Sequence, residues 1–384
     1  MIVLSFLAVG LALPFVRATI RFGCAQLVTE RFDPLVTPGQ VSPHVHQIIG
    51  GNAFNLTMKQ DADLPNISTC TTCRFKEDKS NYWTAVLYFK HPNGSFLRVP
   101  QIPNHYVGGT RGGMTVYYIP GYPPYQKVTA FPKGFRMISG NPMLRNKPES
   151  YVDSVESWAL SFRCWEDDEW LGASNRYAPG VGQYDTVHLP NKTCGGGIRQ
   201  NVFFPTCWDG KNLDTPDHHS HMAYVEGKAD PSIGLFFQRG DCPASHPIKM
   251  PTILFETWWD TRPFNDMWPE DGSQPFVLSM GDPTGYGLHG DYVFGWEGDS
   301  LQRAMDHCLD DFGTPELCKE LTVLSDEEIN QCAQPPQVNE QVDGENLTAL
   351  PGCNPVQYGP GSATMVKGCT AISTISLPTA TPAP

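Results

Sequence analysis

The sequence has no basic run and no stripe of lysine and arginine, and its acidic residues outnumber its basic ones. There are 27 Lys and Arg residues against 40 Asp and Glu residues, which gives a formal net charge of −13 at pH 7. A surface of this charge is a poor match for nucleic acids and anionic membranes. We therefore predict no nucleic-acid partner.

Signatures of several common enzyme classes are also missing. No G-x-S-x-G elbow, P-loop or dinucleotide-binding fingerprint occurs in a strand–turn–helix context, and HHSHM at 218–222 is not the H-E-x-x-H zinc motif. The first histidine is His44, which argues against a copper oxidative enzyme that uses a histidine at its mature N-terminus. These mechanisms are therefore discounted.

Long apolar runs are absent apart from residues 2–16, IVLSFLAVGLALPFV. This run is short for a membrane span and typical of a secretory h-region, so residues 1–18 are predicted to be a signal peptide. Residues 371–384 are predicted to be disordered and include no hydrophobic segment for a lipid anchor. We expect a secreted protein, extracellular or in the cell wall, with no membrane anchor.

The cysteines fit this location. All twelve follow the apolar run, and an even number in an exported chain predicts disulfide bonds. Cys70-x-x-Cys73 lacks the second C-x-x-C of a zinc site, so structural bridging is expected for these cysteines. N-glycans are an option at the five N-x-S/T asparagines, namely Asn55, Asn66, Asn93, Asn191 and Asn346.

The spacing of turn-forming residues predicts a mainly β fold. The 36 glycines and 35 prolines interrupt the chain at short intervals, which favours many short strands. We predict a sandwich or jelly-roll-like domain with long loops over residues 19–299. The strand candidates are Tyr82–Phe89, Thr115–Ile119, Ser157–Cys164, Gly234–Phe237 and Ile253–Phe255.

Residues 300–370 have a different character and are predicted to form a short helical segment stapled by disulfides. Ser300–Leu309 has helical spacing, Thr314-Pro315-Glu316 resembles an N-cap followed by proline, and Ser325-x-x-Glu328 is a capping-box pattern. Five cysteines fall in this segment, so it is expected to be linked to itself or to the main domain.

A candidate site is indicated by a belt rich in histidine and aromatic residues between 203 and 296, together with the upstream His44-Val45-His46. If His44 and His46 belong to a strand, their i, i+2 spacing places both imidazoles on one face. Proton transfer or substrate binding, metal binding and a structural role all remain open for this pair. Gln47 is a candidate for lining a ligand site.

Within the belt, Asp217, His219 and His221 would share a face of an extended segment, where a carboxylate can fix the tautomer of an imidazole. His289 and Asp291 alternate in the same way, and Glu256 lies beside paired tryptophans. We therefore predict eight catalytic residues, namely His44, His46, Asp217, His219, His221, Glu256, His289 and Asp291.

Flat aromatic faces stack on sugar rings while polar neighbours hold the hydroxyls. The belt supplies several such residues, so a secreted glycan is the first substrate class to test. The predicted substrate-binding residues are Gln47, Trp208, Asp209, Tyr224, Trp258, Trp259, Asp282, Tyr286 and Trp296.

Seven motifs, in order along the chain, resemble the DUF1996 family of exported fungal and bacterial proteins. The motifs are RFDPLVTPGQVSPHVHQIIGG, YWTAVLYF, YYIPGY, FPKGFRMISG, FPTCWDGKNLDTPDHHSHMAY, CPASHPIKMPTILFETWW and LSMGDPTGYGLHGDYVFGW, over roughly residues 21–299. The last motif departs from the family pattern at Gly290-Asp291-Tyr292 and at Phe294. Because some members carry WSC or lectin modules, the resemblance implies a polysaccharide or cell-wall setting.

We expect a polysaccharide-active protein, and glycoside cleavage by His and Asp/Glu acid–base chemistry in an aromatic-lined cleft is favoured. A polysaccharide lyase is the first alternative, since Arg111, Arg199 and Arg262 are available to neutralise a uronate. A non-catalytic wall protein that binds glycan or metal is the second alternative. No cofactor is predicted, and the alternative is a bound divalent metal ion.

Overall fold

The computed structural model describes residues 19–103, 111–120, 128–147, 154–166, 179–180, 184–229, 235, 240–308, 310, 312–344 and 347–365. The predicted signal peptide, the predicted disordered tail and Asn346 lie outside these residues. The other four glycosylation candidates are all exposed.

Two antiparallel sheets form the body of the fold, and two small sheets lie beside them. The six-stranded sheet has the order β1 (Ile20–Cys24), β7 (Met114–Ile119), β15 (Thr252–Trp259), β11 (Gly197–Phe203), β9 (Leu160–Trp165) and β10 (Asp185–Thr186). The five-stranded sheet has the order β2 (Val28–Glu30), β3 (His46–Gly50), β4 (Asn81–Ala85), β17 (His289–Val293) and β8 (Arg136–Gly140). The small sheets are β13 (Met222–Ala223), β12 (Cys207–Trp208) and β14 (Ile248–Lys249), and β16 (Phe276–Leu278), β5 (Leu87–Lys90) and β6 (Phe96–Arg98).

The two large sheets pack face to face. The Tyr82 ring of β4 lies edge-on against Phe255 of β15 at 5.5 Å between centroids. Gln47 Nε2 of β3 donates to Thr257 Oγ1 of β15 over 3.1 Å. Alternate residues of each strand therefore fill the space between the sheets, as in a β-sandwich. The mainly β prediction is confirmed.

The outer face of the five-stranded sheet is also buried. Ile48, Trp83 and Val293, which point away from the other sheet, pack with Phe32 and Leu35 from the loop before β3. This loop shields the outer face from water along much of its width. His46, His289 and Asp291 project on this side because they lie an even number of residues from Ile48 and Val293.

The strand predictions have mixed outcomes. Thr115–Ile119 and Ile253–Phe255 are confirmed as parts of β7 and β15, and Tyr82–Phe89 is confirmed but divided at Val86 between β4 and β5. The Ser157–Cys164 prediction is wrong in its first half, where α2 (Val155–Ala159) stands. Ser154 caps this helix by accepting from Ser157 N, so the strand begins only at Leu160. Gly234–Phe237 lies outside the described residues except for Leu235.

The helices are short. They are α1 (Leu64–Ile67), α2, α3 (Ser300–His307), α4 (Asp326–Gln331) and the 3-10 segments Arg262–Met267, Pro315–Leu317 and Pro351–Cys353. The capping box predicted at Ser325 and Glu328 is present at the start of α4, and Thr314 precedes the second 3-10 segment. None of the helices in the described part of the chain has the length and apolar character that a membrane crossing requires.

Disulfides join distant parts of the chain. The bonded pairs are Cys24–Cys73, Cys70–Cys332, Cys164–Cys194, Cys207–Cys242 and Cys308–Cys318. The two cysteines of C-x-x-C bond to other partners, which gives them a structural role. Cys308–Cys318 closes a loop within the C-terminal segment, and Cys70–Cys332 ties that segment to the main domain, so the predicted stapling is confirmed.

A buried carboxyl between the sheets gives a pH-dependent contribution to stability. Asp78 accepts from the Tyr82 hydroxyl over 2.7 Å and from Ser80 N over 3.0 Å, and burial raises the pKa of Asp78 to about 6. Because the folded pKa lies above the unfolded one, this contribution is complete below pH 4 and is lost as the pH rises to 6.

We expect the stability difference between the wild type and Asp78→Asn to shrink by up to about 3 kcal/mol between pH 4 and pH 7. Urea unfolding of both proteins across this pH range measures it. A difference that stays constant with pH would contradict the assignment.

Candidate metal centre

Three imidazoles meet on the outer face of the five-stranded sheet. His44 Nε2 lies 3.1 Å from His289 Nε2, and His46 Nε2 lies 3.3 Å from the same atom. The three rings each offer a ligand atom within 4.8 Å of the others, and all are buried. Three ring nitrogens therefore face one point.

The strand order explains why they meet. β4 separates β3 from β17, so His46 and His289 belong to strands about 9–10 Å apart. The residue of β4 that pairs with His46 is Ala85, whose methyl side chain leaves room for the two rings above it. His44 lies in the bend before β3 rather than in the strand. The two rings are therefore close together, but not through the i, i+2 strand spacing that the sequence predicted.

The outer nitrogens of two rings fix their tautomers. His46 Nδ1 lies 2.9 Å from Phe32 O and His289 Nδ1 lies 3.0 Å from Gly287 O. A carbonyl oxygen only accepts, so both Nδ1 atoms carry the proton and donate it. In the neutral rings both Nε2 atoms are then bare lone pairs, and neither can donate across the 3.3 Å between them.

A metal ion would account for this arrangement. Zinc binds histidine nitrogen at about 2.0–2.1 Å, which places the nitrogens of a tetrahedral site about 3.3 Å apart. Backbone carbonyls that hold the second nitrogen are the usual support of metal-bound histidine. The observed separations of 3.1 Å and 3.3 Å are those of neighbouring ligands around one ion.

Asp291 places a buried carboxyl group beside the rings. Its Oδ2 lies 4.0 Å from His289 Nε2, the residue is 0% exposed, and neither carboxylate oxygen has a hydrogen-bond partner. A buried carboxylate without a partner costs several kcal/mol. A cation at the point where the rings meet would remove this cost.

Asp33 lies near the same point. It is 4% exposed, and its Oδ1 accepts from Leu35 N and Val36 N. Burial raises the pKa of Asp33, while attraction to His289 lowers it. A divalent ion at the point where the rings meet would favour the ionised form of both Asp33 and Asp291.

Burial keeps the rings neutral. It lowers the pKa of His46 to about 3 and that of His289 to about 4, and it takes the pKa of His44 well below its ordinary value. Burial, with repulsion from Asp33, raises the pKa of Asp291 well above its usual range. Neutral imidazoles are the form that binds a metal.

A tight turn before β17 holds the His289 support in place. Gly287 N donates to Asp282 Oδ2 over 2.7 Å, and Arg145 Nε lies 3.7 Å from Asp282 Oδ1. A Cβ on Gly287 would lie 2.9 Å from Asp282 Oδ2, so only glycine allows this approach. Asp282, predicted to bind substrate, is 0% exposed and acts in this turn.

A cleft of about 780 Å³ runs along β8, the strand beside the one that carries His289 and Asp291. Ile138 and Gly140, which line it, pair with Asp291 and His289 of β17. Its rim includes Tyr224, Glu156 and Glu226. Its volume is within the range of small-ligand sites, about 300–1,000 Å³.

Comparison of the sequence with models of known protein families gives a match. The model of the family described as "Domain of unknown function (DUF1996)" matches residues 33–296. This chain belongs to the DUF1996 family. No match was found among curated proteins or among solved structures.

All five residues of the centre fall inside the DUF1996 region: Asp33, His44, His46, His289 and Asp291. Sequence reasoning had selected four of them, but it missed Asp33. The sequence feature that could have identified Asp33 is its position in RFDPLV, within the same motif as His44 and His46.

The histidine-rich segment of the DUF1996 region is a turn, not the extended segment that we expected. Asp217 Oδ1 accepts from His219 N over 3.1 Å and from Ser220 N over 3.0 Å, which stabilises the turn. Asp217 therefore points at its own backbone rather than at the centre. His221 is buried and uses both ring nitrogens, on Thr215 Oγ1 and Arg136 O. His219 lines the cleft.

His218, which sequence reasoning set aside, is the member of this segment that has a carboxylate partner. Its Nδ1 lies 2.6 Å from Asp214 Oδ1 and its Nε2 lies 3.2 Å from Leu35 O, in the loop that covers the centre. Hydrogen bonding to Asp214 raises the pKa of His218. Its φ of +55° turns the ring toward that loop, and sequence spacing gave no sign of this.

Glu256 does not join the centre. It lies on the outer face of the six-stranded sheet, where Tyr117 OH donates to it over 2.5 Å and Arg199 Nη1 lies 3.3 Å away. Trp258 is on the same side, stacked on Trp165 at 4.4 Å. The expected convergence of eight residues is thus wrong for Glu256, because alternation along β15 points it away from the partner sheet.

Most of the other predicted substrate-binding residues of the DUF1996 region are structural. Trp259 and Trp296 are at most 2% exposed in the core, and Gln47 lies between the sheets. Trp208 Nε1 donates to Asn212 O and Asp209 stabilises the following turn. Tyr286 belongs to the turn before β17. Of the predicted aromatic residues, Tyr224 alone lines the described part of the cleft.

Proposed function

We propose that this protein is a secreted hydrolase of polysaccharides that uses a divalent metal ion held by His44, His46 and His289. The observation that carries the proposal is the convergence of three Nε2 atoms. In His46 and His289 the Nδ1 atom donates to the carbonyl of Phe32 or Gly287, so Nε2 carries no proton and offers its lone pair. Zinc fits this ligand set best because it favours histidine nitrogen and tetrahedral geometry.

Hydrolysis is the chemistry that such a centre supports. A zinc ion with three histidine ligands keeps one position for water, and in such sites the pKa of that water falls to about 7. Asp291 Oδ2 lies 4.0 Å from His289 Nε2, and with a cation bound beside it the ionised carboxylate would orient the water and accept its proton. Hydrolysis at this centre would join the water oxygen to the anomeric carbon, break the glycosidic C–O bond, and pass the proton to the leaving oxygen.

The cleft favours neutral or amino sugars over uronates. Its described lining includes the acidic residues Glu156 and Glu226 and contains no lysine or arginine. A lyase needs a positive charge to neutralise the uronate carboxylate. The arginines considered for that role lie elsewhere: Arg262 pairs with Asp260, Arg199 is near Glu256, and Arg111 donates to Asn330 O.

The disulfides support secretion, because such bonds persist in oxidising compartments. No cysteine among the described residues is free. An extracellular setting would place the protein with wall polysaccharides and with metal ions available to it.

The test combines metal analysis with product analysis. We expect the purified protein to hold about one divalent ion per chain, and to release water-added oligosaccharides from neutral glucans or amino-sugar polymers. Activity should disappear with a chelator and return with zinc. Mass spectrometry separates these products from the unsaturated ends of a lyase, which would overturn hydrolysis. A protein that retains no metal would overturn the centre itself.

A non-catalytic, metal-binding wall protein is the second candidate, and one observation favours it. His46, His289 and Asp291 are at most 2% exposed, as in structural metal sites that are closed to substrate. Stoichiometric metal with every glycan left intact would select this candidate.

A further inference from the structure

Residues 332–357 lie beyond the part of the chain that matches the family model and pack against the segments that carry all three histidines. We call the described part of this stretch the C-terminal strap. It is attached by the Cys70–Cys332 disulfide at its start. Both side chains and backbone groups form the contacts between the strap and the segments that carry the histidines.

The strap holds the segment before His44 through a buried ion pair. Glu340 pairs with Arg31 Nε, and the two side chains are 13% and 8% exposed. The same guanidinium donates from Nη1 to Ser42 O over 2.7 Å, and Gly352 N donates to Glu340 Oε1 over 2.9 Å. Glu340 thus links the strap to the backbone two residues before the ligand.

A second contact reaches the residue directly before His44. Asn354 Nδ2 donates to Pro43 O over 2.8 Å. Gly352 has a φ of +75°, and a Cβ placed on it would lie 2.2 Å from Pro43 O. The strap and the His44 segment therefore touch with no space for a side chain.

The strap also supports the other two ligands. Gln337 N and Val338 N donate to Glu30 Oε2, and Glu30 is the cross-strand partner of His46. Gln357 N donates to Gly281 O over 2.9 Å, at the start of the turn that leads to Gly287 and His289.

We propose that the strap is part of the metal centre and that Glu340, Gly352 and Asn354 are positioning residues for His44. The inference rests on the proposed metal binding and goes beyond it, because it gives a function to a segment outside the family region. His44 is the ligand most in need of such support, since it lies in a bend rather than in a strand. Residues that orient a metal ligand alter affinity by about 10–100-fold when removed.

The decisive variant is Gly352→Ala, with Gly272→Ala as its matched control. Both glycines have positive φ, +75° and +72°, but a Cβ at Gly272 would meet nothing within 4 Å. The two substitutions share backbone strain and differ in the clash with Pro43 O. We expect Gly352→Ala to weaken zinc binding by about 10–100-fold, and Gly272→Ala to leave it within about twofold.

The absorption spectrum of the cobalt-loaded protein provides a readout that a purely structural role would not move. It reports ligand geometry, and we expect it to change in Gly352→Ala and in Asn354→Ala but not in Gly272→Ala, at a temperature where all are folded. Asn354→Ala removes the hydrogen bond to Pro43 O without a clash, so it can test the strap proposal if Gly352→Ala fails to fold.

Wild-type affinity and spectrum in both Gly352→Ala and Asn354→Ala would overturn the strap proposal while leaving the metal centre intact. A wild-type protein that binds neither zinc nor cobalt would overturn both. The two failures are therefore distinguishable.

Discussion

Replacement of His289 by glutamine is expected to abolish metal binding and hydrolysis while the fold remains. His289 Nε2 is the atom that both other rings approach, at 3.1 Å and 3.3 Å. Its loss should weaken zinc binding by more than the 100-fold upper range that applies to supporting residues. Glutamine preserves much of the volume of a side chain that is 2% exposed, so the core is not emptied. Metal content after dialysis and competitive zinc titration measure the effect.

His221→Gln is the matched control for this variant. His221 is 0% exposed, and its ring nitrogens contact Thr215 Oγ1 and Arg136 O outside the centre. It should lose stability but retain the ion. Equal metal loss in both variants would show that the ion binds somewhere other than between His44, His46 and His289.

Replacement of Asp291 by asparagine is expected to have opposite effects on the metal-free and metal-bound proteins. Without metal, the buried carboxyl has no hydrogen-bond partner and its pKa is raised, which opposes folding at neutral pH, so the substitution should raise the free energy of unfolding by about 2–4 kcal/mol. With zinc, the same change removes the charge nearest the ligands and should weaken binding by about 10–100-fold. Urea unfolding in chelator and in excess zinc measures both effects.

Asp282→Asn is the control that separates the expected effects of Asp291→Asn from the general effect of replacing a buried carboxylate. Asp282 is equally buried, but it accepts from Thr284 N and Gly287 N and faces Arg145. We expect this variant to be destabilised in both conditions. If Asp291→Asn were also less stable in chelator, the carboxylate would have a partner in the folded protein and the case for a cation would weaken.

Sequence reasoning selected four residues of the centre as catalytic, but it gave neither their role as candidate metal ligands nor their geometry. His44, His46, His289 and Asp291 were selected because imidazoles and carboxylates alternate in two motifs. Sequence spacing gives the face of a strand, but not which strands are neighbours. The pairing of β3 with β4 and of β4 with β17 brings together His46 and His289, which are 243 residues apart in sequence.

The same limit explains the misplaced residues. Glu256 and Thr257 are adjacent in sequence, yet they face opposite sides of the six-stranded sheet, and the hydrogen bond from Gln47 to Thr257 shows which side meets the partner sheet. At Asp217 the side chain bonds to its own backbone and closes a turn, which competes with the extended conformation that alternation assumes. Ser154 acts in the same way as a helix cap and displaces half of a predicted strand.

The separation of 245 residues between His44 and His289 also has a consequence for the order of assembly. The first two ligands are synthesised early and the third near the end of the sandwich, and contacts of such long range form late in folding. The centre therefore cannot take up an ion until nearly the whole chain has been made. If the protein is exported unfolded, the metal that it takes up is set by the ions present where folding is completed.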